Sequence, residues 1–140
     1  AMALCQEVFL GEPSCPQAQE KLMMASWHGG MSIAYSQVGV AHAMSYGLSY
    51  VMGIKHGLGN CLVFQHLSDF YPEGVAMFHD MIVKQQVSLP KNVCASLPEA
   101  KLIKMAKIAL SMEPLWQNAL GRDWRNRINE EQLIALYKKM

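Results

Sequence analysis

Charge is scarce in this 140-residue chain: Asp, Glu, Lys and Arg together make up 16% of it, and the formal net charge at pH 7 is +1. So even a balance offers no electrostatic handle for nucleic acid or an anionic membrane surface, and neither is expected as a partner. Long apolar runs are missing too. None approaches the roughly 20 residues that a bilayer-spanning helix needs. The first residues, Ala1-Met2-Ala3-Leu4-Cys5, lack the basic flank and apolar stretch of a secretion signal. The four cysteines, Cys5, Cys15, Cys61 and Cys94, stand at long, irregular spacings without a CxxC pair. That pattern argues against a thiolate zinc site or a dithiol redox centre and fits free thiols in a reducing cytoplasm. No stretch alternates apolar and polar residues between turn signals, and no glycine-rich phosphate loop follows a strand-like run. Neither a β-sheet nor a dinucleotide-binding domain is therefore expected.

What remains is hydrophobic material, 51% of the residues, enough for the core of a single domain over residues 1–140. Eleven methionines point to a core or a partner surface of irregular shape, which a flexible thioether fills well. The apolar spacing is helical almost throughout, and the predicted fold class is all-α, a helical bundle. Ala1–Leu10 reads as the end of a helix begun earlier, because no capping residue opens it. This start implies a chain cut from a longer one. Gly11–Pro16 is a turn. Gln17–Ser36, rich in Met, Ala, Leu and Ile, is expected to be a buried helix. A second helical stretch runs from Gln37 to Tyr46, Gly47 and Gly53 bracket a loop, and Gly57–Phe70 forms a further buried helix. Pro72 opens a helix to about Gln85. Val87–Cys94 is irregular around Pro90. Leu97–Leu110 is amphipathic with Lys101, Lys104 and Lys107 on a solvated face. Pro114 opens a short segment to Leu120. Asn129 caps a last helix with Glu130 and Glu131 in its first turn and Lys138 and Lys139 in its last, as the helix dipole favours. Trp116 and Trp124 are read as packing residues, His28 as structural, and His66 and His79 as surface or edge residues.

The chemistry lies in Gly39–Phe64, GVAHAMSYGLSYVMGIKHGLGNCLVF. His42 sits in a small-residue helical run; His56 stands fourteen residues later, just before Gly57. A glycine turn between them could bring both imidazoles together, and neutral imidazole suits iron(II) or zinc. Two histidines alone leave the matter open, since a stable site usually takes at least three protein ligands and core or capping histidines are common.

The same run resembles the signature of the iron-containing alcohol dehydrogenases: a His in a small-residue helix, a glycine-marked turn, then His-Gly with an Asn three residues beyond. Here these are His42, Gly47, His56, Gly57 and Asn60. The resemblance implies the helical C-terminal half of such an enzyme, with His42 and His56 as ligands of iron(II) or zinc. It also implies metal-assisted hydride transfer from an alcohol to NAD, the nicotinamide being held mainly by another domain. Within the family, the words KLMMAS, GGMSIAYSQVG, SYGLSYV, KHG, GNC, YPEGVA and LPKN are similar to members that act on a sugar acid of the 3-deoxy-octulosonate type, in lipopolysaccharide biosynthesis. Those members oxidise its terminal primary alcohol. Two departures stand out. The family completes its metal site with an Asp and a further His that lie on a helix upstream of the region matching Ala1, and nothing before His42 supplies that pair. Many relatives also carry a second His four residues after the first, and here that position is Tyr46.

The resemblance thus makes Tyr46 a candidate pocket residue that donates a hydrogen bond to substrate or relays a proton; a packed core tyrosine is the alternative. Lys55 is a candidate for the substrate carboxylate, or simply solvated. Asn60 either orients His56 or caps a neighbouring carbonyl. Cys61 reads as a small buried hydrophobe. The chain alone is expected to be inactive. It could instead be a stand-alone binding or self-association module, a homo-oligomer formed through an exposed apolar interdomain face, or a metal protein completed by a second copy.

Overall fold

Apolar spacing in the middle of the chain dictates where the core lies. The computed structural model describes all 140 residues as eight α-helices and one 3-10 turn, with no strand. In order the helices are α1 (Met2–Phe9), α2 (Pro16–Tyr35), α3 (Val40–Met52), α4 (His56–Phe64), α5 (Pro72–Lys84), α6 (Glu99–Leu110), α7 (Glu113–Leu120) and α8 (Glu130–Lys138). The all-α expectation holds.

The helix α3 is the central post. Val40, Ala43, Met44, Gly47 and Leu48 recur at three- and four-residue steps and are buried together, against the face of α6 formed by Leu102, Met105, Ala106 and Ala109. Lys101, Lys104 and Lys107 stand exposed on the other side of α6, as their spacing predicts. Leu133, Leu136 and Tyr137 of α8 close the same core. At its far end Trp116 and Trp124 lie stacked, with centroids 5.7 Å apart and ring planes 15° apart, and Trp116 Nε1 donates to the Ala109 carbonyl at 2.7 Å. Arg125 covers the outer ring of the stack, 4.5 Å from the Trp124 centroid, and pairs with Glu113.

Local chemistry sets the ends of several helices. Pro72 and Pro114 occupy the first turns of α5 and α7, where a missing N–H costs nothing. Asn129 accepts from Gln132 N–H at 2.9 Å while its own N–H donates to the Gln132 side chain at 2.9 Å, a reciprocal capping box. Gly53, at φ 70°, ends α3 in the left-handed conformation that glycine adopts most cheaply.

Three expectations need correction. The first concerns the loop between Gly47 and Gly53. Helix α3 runs straight through Gly47 to Met52, so the turn is only Gly53–Lys55. Gly47 is there for packing: a Cβ on it would meet the Met105 carbonyl oxygen at 2.9 Å and, closer still, the Tyr137 hydroxyl. The second concerns α2, which is not buried. Only Ala18 and Ala25 of its 20 residues are, and Met23 (72%), Trp27 (57%) and Tyr35 (84%) are widely exposed, because α2 rests chiefly on α1. The third concerns His28, which lies on that exposed helix beside Trp27, ring centroids 4.9 Å apart, and supports no core. The pair α1–α2 is tied to the rest through α5: Gln85 Nε2 donates to the Phe9 carbonyl at 2.8 Å, and Lys84 donates to the Leu10 carbonyl.

Candidate metal centre

Once Val40, Ala43, Met44 and Leu48 face the core, the helical repeat turns His42, Ser45, Tyr46 and Ser49 toward the neighbouring helix α4. Gly53 reverses the chain in three residues and starts α4 at His56. The two helices come close enough that a Cβ on Gly59 would lie 3.5 Å from the Ser45 Cβ, in van der Waals contact. This places the His42 and His56 rings with centroids 5.0 Å apart and planes at 58°. The Tyr46 ring also stacks on His56, at 5.6 Å and 30°. Sequence reasoning singled out these three residues, and the fold brings them together.

The electrostatics favour neutral imidazole at His42. Burial pushes its pKa below the usual histidine value, and a neighbouring charge on His56 pushes the same way. An unprotonated imidazole is the form that binds a divalent ion. His56 is more exposed and is held by Asn60 one turn along α4. Asn60 Nδ2 lies 3.1 Å from His56 Nε2 and 3.1 Å from the His56 carbonyl oxygen. Asn60 thus contacts both the ring and the backbone carbonyl of His56. Its own Oδ1 is buried without a hydrogen-bond partner.

Ser45 was not singled out from the sequence. It is the one polar residue in the buried set, 0% exposed. Its hydroxyl donates to the His42 carbonyl at 2.9 Å and lies 3.5 Å from His56 Nδ1. A single serine in an apolar helix carries no sequence signal for such a role, though its position three residues after His42 puts it on the same helix face.

Lys55 is exposed and lies just before His56, outside the lining of the adjoining cavity. That cavity, about 690 Å³, opens beside His42 and Asn60 and runs between α1, α4 and α5. Phe9, Phe64, Phe78 and Ile82 give it an apolar wall with no charged side chain. Cys61 also lines it, and burial raises its thiol pKa.

The residues fit the nitrogen share of a divalent-ion cage, because two imidazole rings stand side by side with centroids 5.0 Å apart. They do not complete it: no group of three or more His, Cys, Asp or Glu side chains is placed to hold an ion. No helix is long and apolar enough to cross a membrane. The sequence profile described as Fe-containing alcohol dehydrogenase family, C-terminal, matches residues 9–113, a span that contains both histidines, Ser45, Tyr46, Lys55 and Asn60. With an all-helical architecture and a histidine pair at the α3–α4 junction beneath that match, the chain belongs to the Fe-containing alcohol dehydrogenase family, as an example of its C-terminal region.

Proposed function

We propose that this chain is the C-terminal, metal-binding part of an oxidoreductase that transfers hydride from a primary alcohol to NAD, the nucleotide being held mainly by another domain. The observation that carries this reading is the 5.0 Å approach of the His42 and His56 rings inside a segment matched by the family. In it His42 and His56 hold iron(II) or zinc. Such an ion, when bound, acts as a Lewis acid that stabilises negative charge developing on the alcohol oxygen. Asn60 holds the His56 ring before the ion arrives, and Tyr46, stacked on that ring, presents its hydroxyl to the alcohol or relays its proton. Single domain though it is, the chain supplies two of the ligands and depends on residues outside these 140 for the others; alone it does not turn over substrate.

The proposed substrate is a sugar acid of the 3-deoxy-octulosonate type, the reading being that of a 3-deoxy-α-D-manno-octulosonate 8-oxidase in cytoplasmic lipopolysaccharide biosynthesis. Its support is the set of sequence words around the histidines, together with Lys55 as a cation for the carboxylate. The cavity next to His42 has an apolar lining, so a polyhydroxylated acid approaches from the Lys55 side of the pair. The experiment has two arms. Calorimetric titration with zinc or iron(II) under reducing conditions is expected to show weak binding that His42→Ala and His56→Ala each abolish. NAD reduction with the sugar acid is expected from a longer polypeptide carrying the remaining ligands, and none from residues 1–140. Turnover by the 140-residue chain would overturn the half-site assignment; binding unchanged in both alanine variants would overturn the ligand assignment.

A second reading has its own observation. Met23, Trp27, Met31 and Tyr35, at four-residue steps, leave an apolar helix face open to water on α2. A stand-alone self-association module covers that face with another copy and needs neither metal nor NAD. Light scattering across a concentration series, with Trp27→Ser as control, separates it from the first reading. A monomer at every concentration excludes it.

A further inference from the structure

We propose that Ser45 is a positioning residue that fixes the proton of His56 on Nδ1, so that Nε2 carries the lone pair the ring offers outward. Asn60 Nδ2 can only donate, and it lies 3.1 Å from both His56 Nε2 and the His56 carbonyl oxygen, so each of its two hydrogens has an acceptor. The carbonyl fixes the orientation of the amide, because a flipped one would set oxygen against oxygen. A donor at Nε2 requires a lone pair there, and the proton of a neutral ring must then sit on Nδ1.

Ser45 is what Nδ1–H meets, with Oγ 3.5 Å away. The serine hydroxyl has one hydrogen, and it is committed to the His42 carbonyl at 2.9 Å, since a carbonyl can only accept. Lone pairs are all that remain to face Nδ1. The result is a directed chain in which His56 Nδ1–H donates to Ser45 Oγ and Ser45 Oγ–H donates to the His42 carbonyl. One buried hydroxyl thereby links the backbone of one histidine to the ring of the other. Its position is set on every side by α3, by the bond to the preceding turn and by the approach of Gly59. At 3.5 Å the Nδ1 contact is a long one, so Ser45 biases the tautomer and does not lock it.

The consequence rests on the reading of His56 as a ligand: Nε2 is the nitrogen presented to the ion, and the Asn60 amide is the partner that gives way to it. The test needs no metal. Long-range proton–nitrogen NMR on the chelator-treated, nitrogen-15-labelled chain at alkaline pH reports the protonation of each ring nitrogen. For His56 the expected pattern is a protonated Nδ1 and an unprotonated Nε2. Ser45→Ala is expected to move population toward the Nε2–H form, and Asn60→Asp, whose carboxylate can only accept, to move it the same way. Should Ser45→Ala fail to fold by circular dichroism, Ser45→Cys, a close match in size and a weaker acceptor, carries the same expectation. An Nε2–H tautomer in the unmodified chain, or a folded Ser45 variant with the native pattern, overturns the proposal. Ion affinity is not read here, so failure of the ligand reading would show only in the titrations.

Discussion

The Tyr137 hydroxyl, on the last helix, stands over Gly47 in the middle of α3 and donates to the Met44 carbonyl at 2.7 Å. This one contact explains why a helix interior tolerates glycine there, which elsewhere costs about 0.5–1 kcal/mol relative to alanine. A methyl on residue 47 would collide with that hydroxyl and with the Met105 backbone. Gly47→Ala is expected to destabilise the fold by about 1–2 kcal/mol, overpacking outweighing the gain in helix propensity. Urea denaturation checks this. Adding Tyr137→Phe removes the colliding oxygen, so the double variant should lose less than the sum of the single losses. Additive losses would mean that the hydroxyl is not the obstacle.

Gly53 makes a different prediction, because nothing lies within 4 Å of a Cβ built on it. Its role is conformational: φ 70° is left-handed, and an L residue there costs about 1–2 kcal/mol. Gly53→Val should lose at least that much, and Gly53→Asn clearly less, since asparagine tolerates the conformation. The α3–α4 turn also sets the spacing of His42 and His56, so the valine variant should weaken whatever ion binding calorimetry finds. Equal stability of the two variants would remove the left-handed requirement.

Trp116 is expected to dominate the stability of the far end of the core. It is fully buried, stacked on Trp124 and hydrogen-bonded to Ala109. Trp116→Ala should cost about 3–5 kcal/mol. Trp116→Phe keeps an aromatic face but forfeits the N–H donor, and should cost distinctly less. Fluorescence-monitored unfolding, with Trp27 and Trp124 as remaining reporters, distinguishes the two.

Acid should weaken the fold through His66. Burial, then Lys139, then His79 hold its pKa below the ordinary value of 6.5. The folded state therefore binds a proton less readily than the unfolded chain, which takes one up near 6.5. Stability is unaffected above that value, falls as the pH drops through it, and levels off below the depressed folded pKa. His66→Gln is expected to lose less stability than the parent between about pH 7 and pH 5, read as urea midpoints at each pH. Parallel curves would assign the acid sensitivity to other groups.

The match between sequence and structure divides by range. Helix ends governed by a neighbour within one turn were legible: Pro72 and Pro114 in first turns, Asn129 as a cap, lysines on the open face of α6. So was the proximity of His42 and His56, which needed only a helix, a reversal and a second helix. Gly47 and Gly53 look alike in the sequence, yet one packs under a tyrosine ninety positions away and the other turns the chain. Composition marked α2 as apolar, but whether such a helix is covered depends on what stands beside it, and here little does. Ser45 was silent because its contact with His56 Nδ1 exists only once α4 is laid on α3.

The amino-acid sequence by itself determined that the chain is helical, where most helices start and stop, and which two imidazoles could share an ion. Periodicity, proline, capping chemistry and dipole complementarity act over a few residues, and a linear text records them. Only the tertiary structure decided which glycine bends the chain, which serine stands between the histidines, and that no third His, Cys, Asp or Glu side chain joins the two imidazoles. Those facts depend on van der Waals contact and hydrogen-bond direction between helices far apart in the chain, and these exist only once the helices are packed.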